Sequence, residues 1–385
     1  MHYLFIGYYV DEETFGKILD REINNMSVAR QKFEYNLIRG LYEQLGEQVD
    51  FISYVPTDKS LNIPAQSEVG DAVIKHIAIK KDNLKSLFNA KRQFEVFLSG
   101  FGKEKLKGLK VIMYAVNPVF EFVLLKYRKK FDIKIVTICS EVPELRRYGN
   151  SMSSRIKKHI LTYFNEQFDG YILFSAEMRR IIRCGNKKSI VLEGIAPDIR
   201  RKPMAGKKKV IMYAGGLAED NNIPFLLKCC KEISELDEVW ICGAGADELK
   251  IAELANTDSR IKYFGRLENE KVLELEEQAK VLINFRSSDA ELTKYSFPSK
   301  ILEYISAGSL VISTRLLGIP EEYFDYIIPI SFDDHNSIIT ILTSCLNLAD
   351  DEYIAKCERA QAFIKKNKGY RKQSERIIEF LDSMD

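Results

Sequence analysis

The segment Tyr295-Ser296-Phe297-Pro298-Ser299-Lys300-Ile301-Leu302-Glu303, running on to Ala307 and Gly308, groups side chains that could hold an anion beside a diol. Pro298 suits the first turn of a helix and Gly308 its end, and Leu310, Val311 and Ile312 then read as a buried strand. A helix that begins at the mouth of a parallel sheet presents free backbone N–H groups and a positive dipole end to an anion. Ser299 and Glu303 stand four apart and share a face, which puts a carboxylate one turn below a hydroxyl. That arrangement suits a phosphorylated sugar, with phosphate at the helix end and hydroxyls against the carboxylate.

The elements that must position these residues alternate throughout the chain. Apolar runs at Tyr3–Tyr8, Val49–Tyr54, Val73–Ala78, Lys110–Ala115, Ile133–Cys139, Gly170–Phe174 and Ile190–Leu192 read as strands. Helical patterns at about Val28–Leu45, Asn83–Ser99, Pro118–Lys130, Ser153–Asn165 and Ala176–Cys184 separate them. A second strand series runs from Val210–Ala214 through Glu238–Cys242, Ile261–Phe264, Val281–Phe285 and Leu310–Ser313 to Ile327–Ile330. Helices at about Ile223–Ser234, Asp247–Leu254, Asn269–Gln278 and Ser299–Ser306 interleave with it. Such alternation predicts doubly wound parallel α/β layers. The expected division is a domain over 1–193, a linker over 194–209 that carries Gly194, Pro197, Pro203 and Gly206, a domain over 210–349, and C-terminal helices over 350–385 that could pack back toward the first domain.

Composition narrows the function. With 385 residues, 46% hydrophobic and 29% charged, the chain has the makings of two full-sized cores, and no run of eighteen apolar residues suggests a membrane span. The first ten residues look like a strand rather than a signal peptide. Seven cysteines without CxxC spacing read as reduced core residues of a cytoplasmic protein, and four scattered histidines lack metal-ligand spacing. The net charge of +2 hides an asymmetry: 32 Lys and Arg oppose 24 Asp and Glu in residues 1–200, against 25 and 31 in the rest. Between Lys126 and Lys188, 15 basic residues face six acidic ones. A solvated basic face accounts for this; so would contact with anionic lipid headgroups at the inner face of a membrane or with a lipid diphosphate. No aromatic stacking platform or recognition motif accompanies the charge, so nucleic acid is not an expected partner.

Further residues fall at predicted strand ends. Gly215-Gly216 closes the first strand of the second series, where glycine lets a ligand approach the backbone. Cys242-Gly243-Ala244-Gly245 also follows a strand, but Glu248 occupies the third glycine position of a dinucleotide fingerprint, which excludes an NAD site. Taken in order, Tyr213-Ala-Gly-Gly216, Trp240-Ile-Cys-Gly-Ala-Gly245, Arg260-Ile-Lys-Tyr-Phe-Gly265, Leu282-Ile-Asn-Phe-Arg286 and Phe297-Pro-Ser-Lys-Ile-Leu-Glu303-Tyr-Ile-Ser-Ala-Gly308 resemble the donor domain of family-four retaining glycosyltransferases. The resemblance covers about Lys209 to Ile330. It implies the GT-B fold, two Rossmann-like doubly wound domains facing a cleft. It also implies metal-independent transfer of a sugar from a nucleotide diphosphate sugar as co-substrate, without a cofactor and with retention at the anomeric carbon.

By position, the resemblance makes Glu303 the carboxylate that binds the donor ribose, with Gly215, Gly216, Tyr295, Ser296, Phe297 and Ser299 around the donor. Tyr295 stands where many relatives carry a second glutamate, and Gly216 and Asn221 where they often carry the diphosphate-binding arginine and lysine. A departing diphosphate needs positioned cations, and Arg286 at a strand end and Lys300 in the first turn of the anion-site helix could supply them. Lys300 could equally pair with Glu303, and Arg286 with a surface carboxylate. On the acceptor side, Glu141 could orient or deprotonate an acceptor hydroxyl, and Asn117 and Ser27 could contact the acceptor; Glu144 and Ser27 also suit helix caps. The reading is a glycosyltransferase that extends a glycan or lipid-linked glycan in surface polysaccharide synthesis, cytoplasmic or peripheral on the inner membrane face. The alternatives are a GT-B sugar-nucleotide epimerase and a non-catalytic sugar-nucleotide-binding protein.

Overall fold

Buried apolar runs form the strands, as their near-continuous hydrophobicity requires of a sheet covered on both faces. The structure, a computed structural model, describes residues 1–20, 27–58, 61–80, 84–139, 151–288, 291–331 and 334–384. Two units divide the chain: residues 1–195 with 370–385, and residues 196–369. In the first, strands β1 (Tyr3–Gly7), β2 (Val49–Thr57), β3 (Gln66–Val69), β4 (Ala72–Lys80), β5 (Lys110–Tyr114), β6 (Lys134–Cys139), β7 (Gly170–Leu173) and β8 (Lys188–Val191) assemble in the order β3-β4-β2-β1-β5-β6-β7-β8. All its pairings are parallel except β3 with β4, where the antiparallel edge strand β3 alternates exposed and buried residues. In the second, β9 (Val210–Ala214), β10 (Glu238–Cys242), β11 (Ile261–Gly265), β12 (Val281–Asn284), β13 (Leu310–Thr314) and β14 (Ile328–Ile330) form an all-parallel sheet in the order β11-β10-β9-β12-β13-β14.

Each sheet buries its central strands between helices. In the first unit, the helix Val28–Leu45 sends Phe33, Leu37, Ile38 and Leu41 into the same core as Tyr370, Ile377, Phe380 and Leu381 of the last helix, Tyr370–Asp382. The preceding long helix, Asp350–Asn367, instead packs in the second unit through Ala360, Phe363 and Ile364. Several elements depart from the sequence reading. Glu12–Asp20, Gly102–Leu106 and Glu291–Tyr295 are helices, β3 is a strand, and Ala176–Arg180 is only a 3₁₀ turn. All seven cysteines are buried and none forms a disulfide. Among the described residues no helix is long and apolar enough to cross a membrane.

Candidate active site

In the second unit the carboxyl ends of β9, β10, β12 and β13 gather most of the residues singled out above. The loop after β9 is tied down from below. Tyr213 donates its hydroxyl to the carbonyl of Gly216 at 2.7 Å, and Asn221 donates its side-chain amide to the same carbonyl at 2.8 Å. Asn221 is itself buried, so the residue standing in the lysine position of the related enzymes anchors the loop. Beyond the strand ends the backbones continue to pair, Gly215 N–H with the Cys242 carbonyl and Leu217 N–H with that of Ala244, both at 3.0 Å. Gly243, with φ 143°, makes this approach possible, since a Cβ there would fall 1.8 Å from the Gly215 carbonyl oxygen. A Cβ at Gly216 would meet nothing within 4 Å, so this position opens onto free space.

Arg286 follows β12 at the same edge. Its carbonyl accepts from the Thr314 hydroxyl at 2.7 Å, and Ser287 N–H donates to the Asp220 carbonyl at 2.7 Å, which locks this turn to β13 and to the loop after β9. Burial raises the pKa of the Tyr213 hydroxyl, and the positive charge of Arg286 pulls against that rise, which places the guanidinium within electrostatic reach of Tyr213. Arg286 is half-buried, and among the described residues no acidic side chain pairs with it.

Lys300 is differently situated. The helix it opens, Lys300–Ser306, ends at Ala307, and Gly308 takes the left-handed φ of 71° that closes it. Lys300 Nζ donates to Glu303 and lies 3.5 Å from Oε1 of Glu276, a fully buried carboxylate whose other oxygen accepts from Arg200 at 2.8 Å. Burial by itself would depress the Lys300 pKa; the charges of Glu303 and Glu276 outweigh it and hold the pKa above the ordinary value. Lys300 is thus the middle of a chain of alternating charges, Glu303, Lys300, Glu276, Arg200. Next to Glu303, the buried Tyr304 hydroxyl donates to the Ala214 carbonyl at 3.1 Å and accepts from the Ala214 N–H at 3.0 Å, which joins this helix to the end of β9.

The remaining donor-side residues divide. Ser299 precedes the helix with helical angles, makes no capping bond through its side chain and is exposed. Phe297 is buried in the core, its ring 5.1 Å from that of Tyr323. Tyr295 ends the short helix Glu291–Tyr295 and, like Ser296, is half-buried; the Ser296 carbonyl packs so closely on Gly318 that a Cβ there would sit 2.2 Å away.

In the first unit both acceptor-side candidates within the described residues are helix caps. Ser27 accepts from Arg30 N–H at 3.2 Å, and the buried Asn117 accepts from Val119 and Phe120 N–H while its own N–H donates to Glu121 at 2.8 Å. Glu141 and Glu144 lie outside the described residues, as do Asn24 to Met26. Sequence reasoning passed over Glu34, one turn beyond Arg30 on the helix Val28–Leu45. It is fully buried and accepts from Tyr8 N–H at 2.6 Å, and burial pushes its carboxyl up to about 7 against the pull of the Tyr8 and Tyr9 N–H groups and the Arg30 charge. The Arg30–Glu34 spacing of four on a predicted helix was the available signal.

Residues 208–340 match the family described as glycosyl transferases group 1. A search of curated proteins finds no sequence match. Among solved structures, sucrose-phosphate synthase from Thermosynechococcus elongatus is similar with a TM-score of 0.65 at 12% identity, covering 100% of this chain and 99% of its own. HepE of Anabaena in complex with UDP gives 0.64 at 10% identity over 100% of both chains, and a glycosyltransferase from Rickettsia africae gives 0.66 at 11% identity over 100% of this chain and 98% of that one. The chain has the GT-B architecture of two Rossmann-like α/β domains and a helical C-terminus, and it resembles the family-four glycosyltransferases.

Proposed function

We propose that the chain is a glycosyltransferase that moves a sugar from a nucleotide diphosphate sugar onto a glycan, or a glycan carried on lipid, in the making of a surface polysaccharide. The observation that carries this reading is the match of residues 208–340 to glycosyl transferases group 1, because the residues gathered at the carboxyl edge of β9, β12 and β13 lie within that stretch. In the reaction proposed, the bond from the anomeric carbon to the diphosphate breaks, and the acceptor oxygen bonds to that carbon with retention. The acceptor proton passes to a base, for which Glu141 is the candidate. Negative charge collects on the leaving diphosphate, and Arg286, free of an acidic partner among the described residues, is the cation poised to receive it without a metal. Glu303 would accept the ribose hydroxyls, and Gly216 leaves room for the phosphates.

HepE binds UDP, so uridine nucleotides are the first ligands to test. Melting the full chain with UDP, other nucleoside diphosphates and their sugar conjugates should show one nucleotide series raising stability, by about 2.7 kcal/mol at 100 times its dissociation constant. Turnover with the matching sugar conjugate should survive a chelator. Indifference of the melting temperature to every nucleotide would sink the proposal.

A further inference from the structure

We infer that the amino edge of the first unit's sheet is a docking surface for a bilayer bearing anionic lipid headgroups. The inference does not depend on the transfer reading. Lys107, Phe131 with Asp132, and Gln167 stand just before β5, β6 and β7, so the groove they line, about 1310 Å³, opens at the end of the strands opposite Asn117 and Cys139. The helix Pro118–Phe131 spans that separation, about 21 Å at 1.5 Å per residue.

The groove is strongly basic. Lys103, Lys107, Lys129 and Lys130 are exposed, and among the described residues none has a carboxylate partner; Asp132 is the acidic residue among those lining it. Phe122, Lys126, Lys129 and Lys130 follow helical spacing and share one face, with Lys126 4.9 Å from the Phe122 ring.

Beside the groove runs an apolar stripe that the protein leaves uncovered. On the helix Met152–Asn165, Met152, Ile156, Ile160 and Tyr163 repeat at i, i+4, i+8 and i+11 and are 79%, 53%, 43% and 54% exposed. Asn165, its last residue, is the one that is buried. The structure turns this stripe to solvent. Arg155, Lys157, Lys158 and His159 accompany it, with no acidic residue from 151 to 165. Apolar side chains flanked by exposed lysines are what an interfacial helix presents to anionic lipid, the apolar groups entering the headgroup boundary and the lysines meeting phosphate. A soluble acidic partner would satisfy the lysines but leave the apolar stripe unexplained.

The test is sedimentation of the full chain with vesicles of phosphatidylcholine alone or mixed with phosphatidylglycerol. The protein should sediment only with the mixed vesicles, and raising salt should release it. Lys129→Glu with Lys130→Glu should weaken binding about ten-fold or more, and Ile156→Ser with Ile160→Ser on the same order. These positions are exposed and belong to the first unit, whereas the residues proposed to hold the donor belong to the second, so both variants should melt like wild type and keep any nucleotide-induced rise in melting. Equal sedimentation with neutral and anionic vesicles, sedimentation with neither, or variants that bind as wild type would overturn the inference. Failure of nucleotide to stabilise the protein would leave it standing.

Discussion

Arg286 and Lys300 look equivalent in the sequence, two cations within reach of one strand edge, but their surroundings separate them. Lys300 holds together two carboxylates, one of them fully buried in Glu276, while Arg286 meets no acidic side chain among the described residues. Charge grows on the leaving group only as the bond breaks, so Arg286→Ala should lower kcat by roughly 10²–10³-fold with a much smaller change in donor affinity. An equal loss in both terms would show that Arg286 binds the ground state. Lys300→Met should act first on the fold: with the buried Glu276 stripped of one cation, melting should drop by an amount worth about 1–3 kcal/mol, and donor affinity should weaken along with it. Glu303→Gln should keep the fold and lose roughly 1.5–3 kcal/mol of nucleotide binding, or about 10–150-fold, as read by calorimetric titration. The spacing of Lys300 and Glu303 made their pairing legible beforehand. That Asn221 anchors Gly216 was not legible, because the contact depends on how the loop after β9 folds back.

The elements repeat this division between local and tertiary information. Helix Val28–Leu45, helix Asn269–Gln278 and strands β9 and β10 lie where periodicity puts them, because each is a long apolar or amphipathic pattern bounded by a cap or a turn. The strand β3 escaped notice because Gln66, Ser67 and Glu68 are polar and only pairing with β4 makes them a strand. Asn117 read as a ligand contact from its place after a strand, whereas its bonds show a cap completed by Glu121. That cap has a consequence for pH. Burial pushes the Glu121 carboxyl up to about 8, and among the described residues its buried Oε2 has no hydrogen-bond partner; Glu34 is raised to about 7. A carboxyl group with a higher pKa in the folded state binds its proton more tightly there. The stability it contributes is therefore intact below about 4.5, where both states are protonated, and is lost as pH rises through about 7 for Glu34 and about 8 for Glu121. The first unit's melting temperature should fall on the order of 5 °C between about pH 5 and pH 8. A Glu34→Gln, Glu121→Gln variant should lose most of that slope, since neither amide ionises; scans by circular dichroism across the range decide it, and a slope retained in full rules out these two groups as its source.

At the scale of the whole molecule the chain leaves its first unit at residue 195, builds the second from 196 to 369, and returns for one helix. That last helix completes the first unit's core. Tyr370, Ile377, Phe380 and Leu381 are buried there, and Asp382 meets the fully buried Lys110 at 3.0 Å and accepts from the Tyr3 hydroxyl at 2.7 Å. The group 1 match, by contrast, lies wholly within the second unit. Removing residues 370–385 should therefore damage one unit and spare the other. Several large apolar side chains would leave the first core at a cost of about 2–5 kcal/mol each, enough to exceed the stability of a typical domain. Hydrogen exchange read by mass spectrometry should show β1, β5 and the helix Val28–Leu45 losing protection in the truncated chain while β9, β10 and β12 keep theirs. Nucleotide should still protect the loop after β9 and the turn at Arg286 in the truncated chain, with an affinity within a few-fold of the full chain's. Full protection of β1 and β5 without the last helix would show that the first core closes on its own. Loss of protection in both units together would show that they fold as one body.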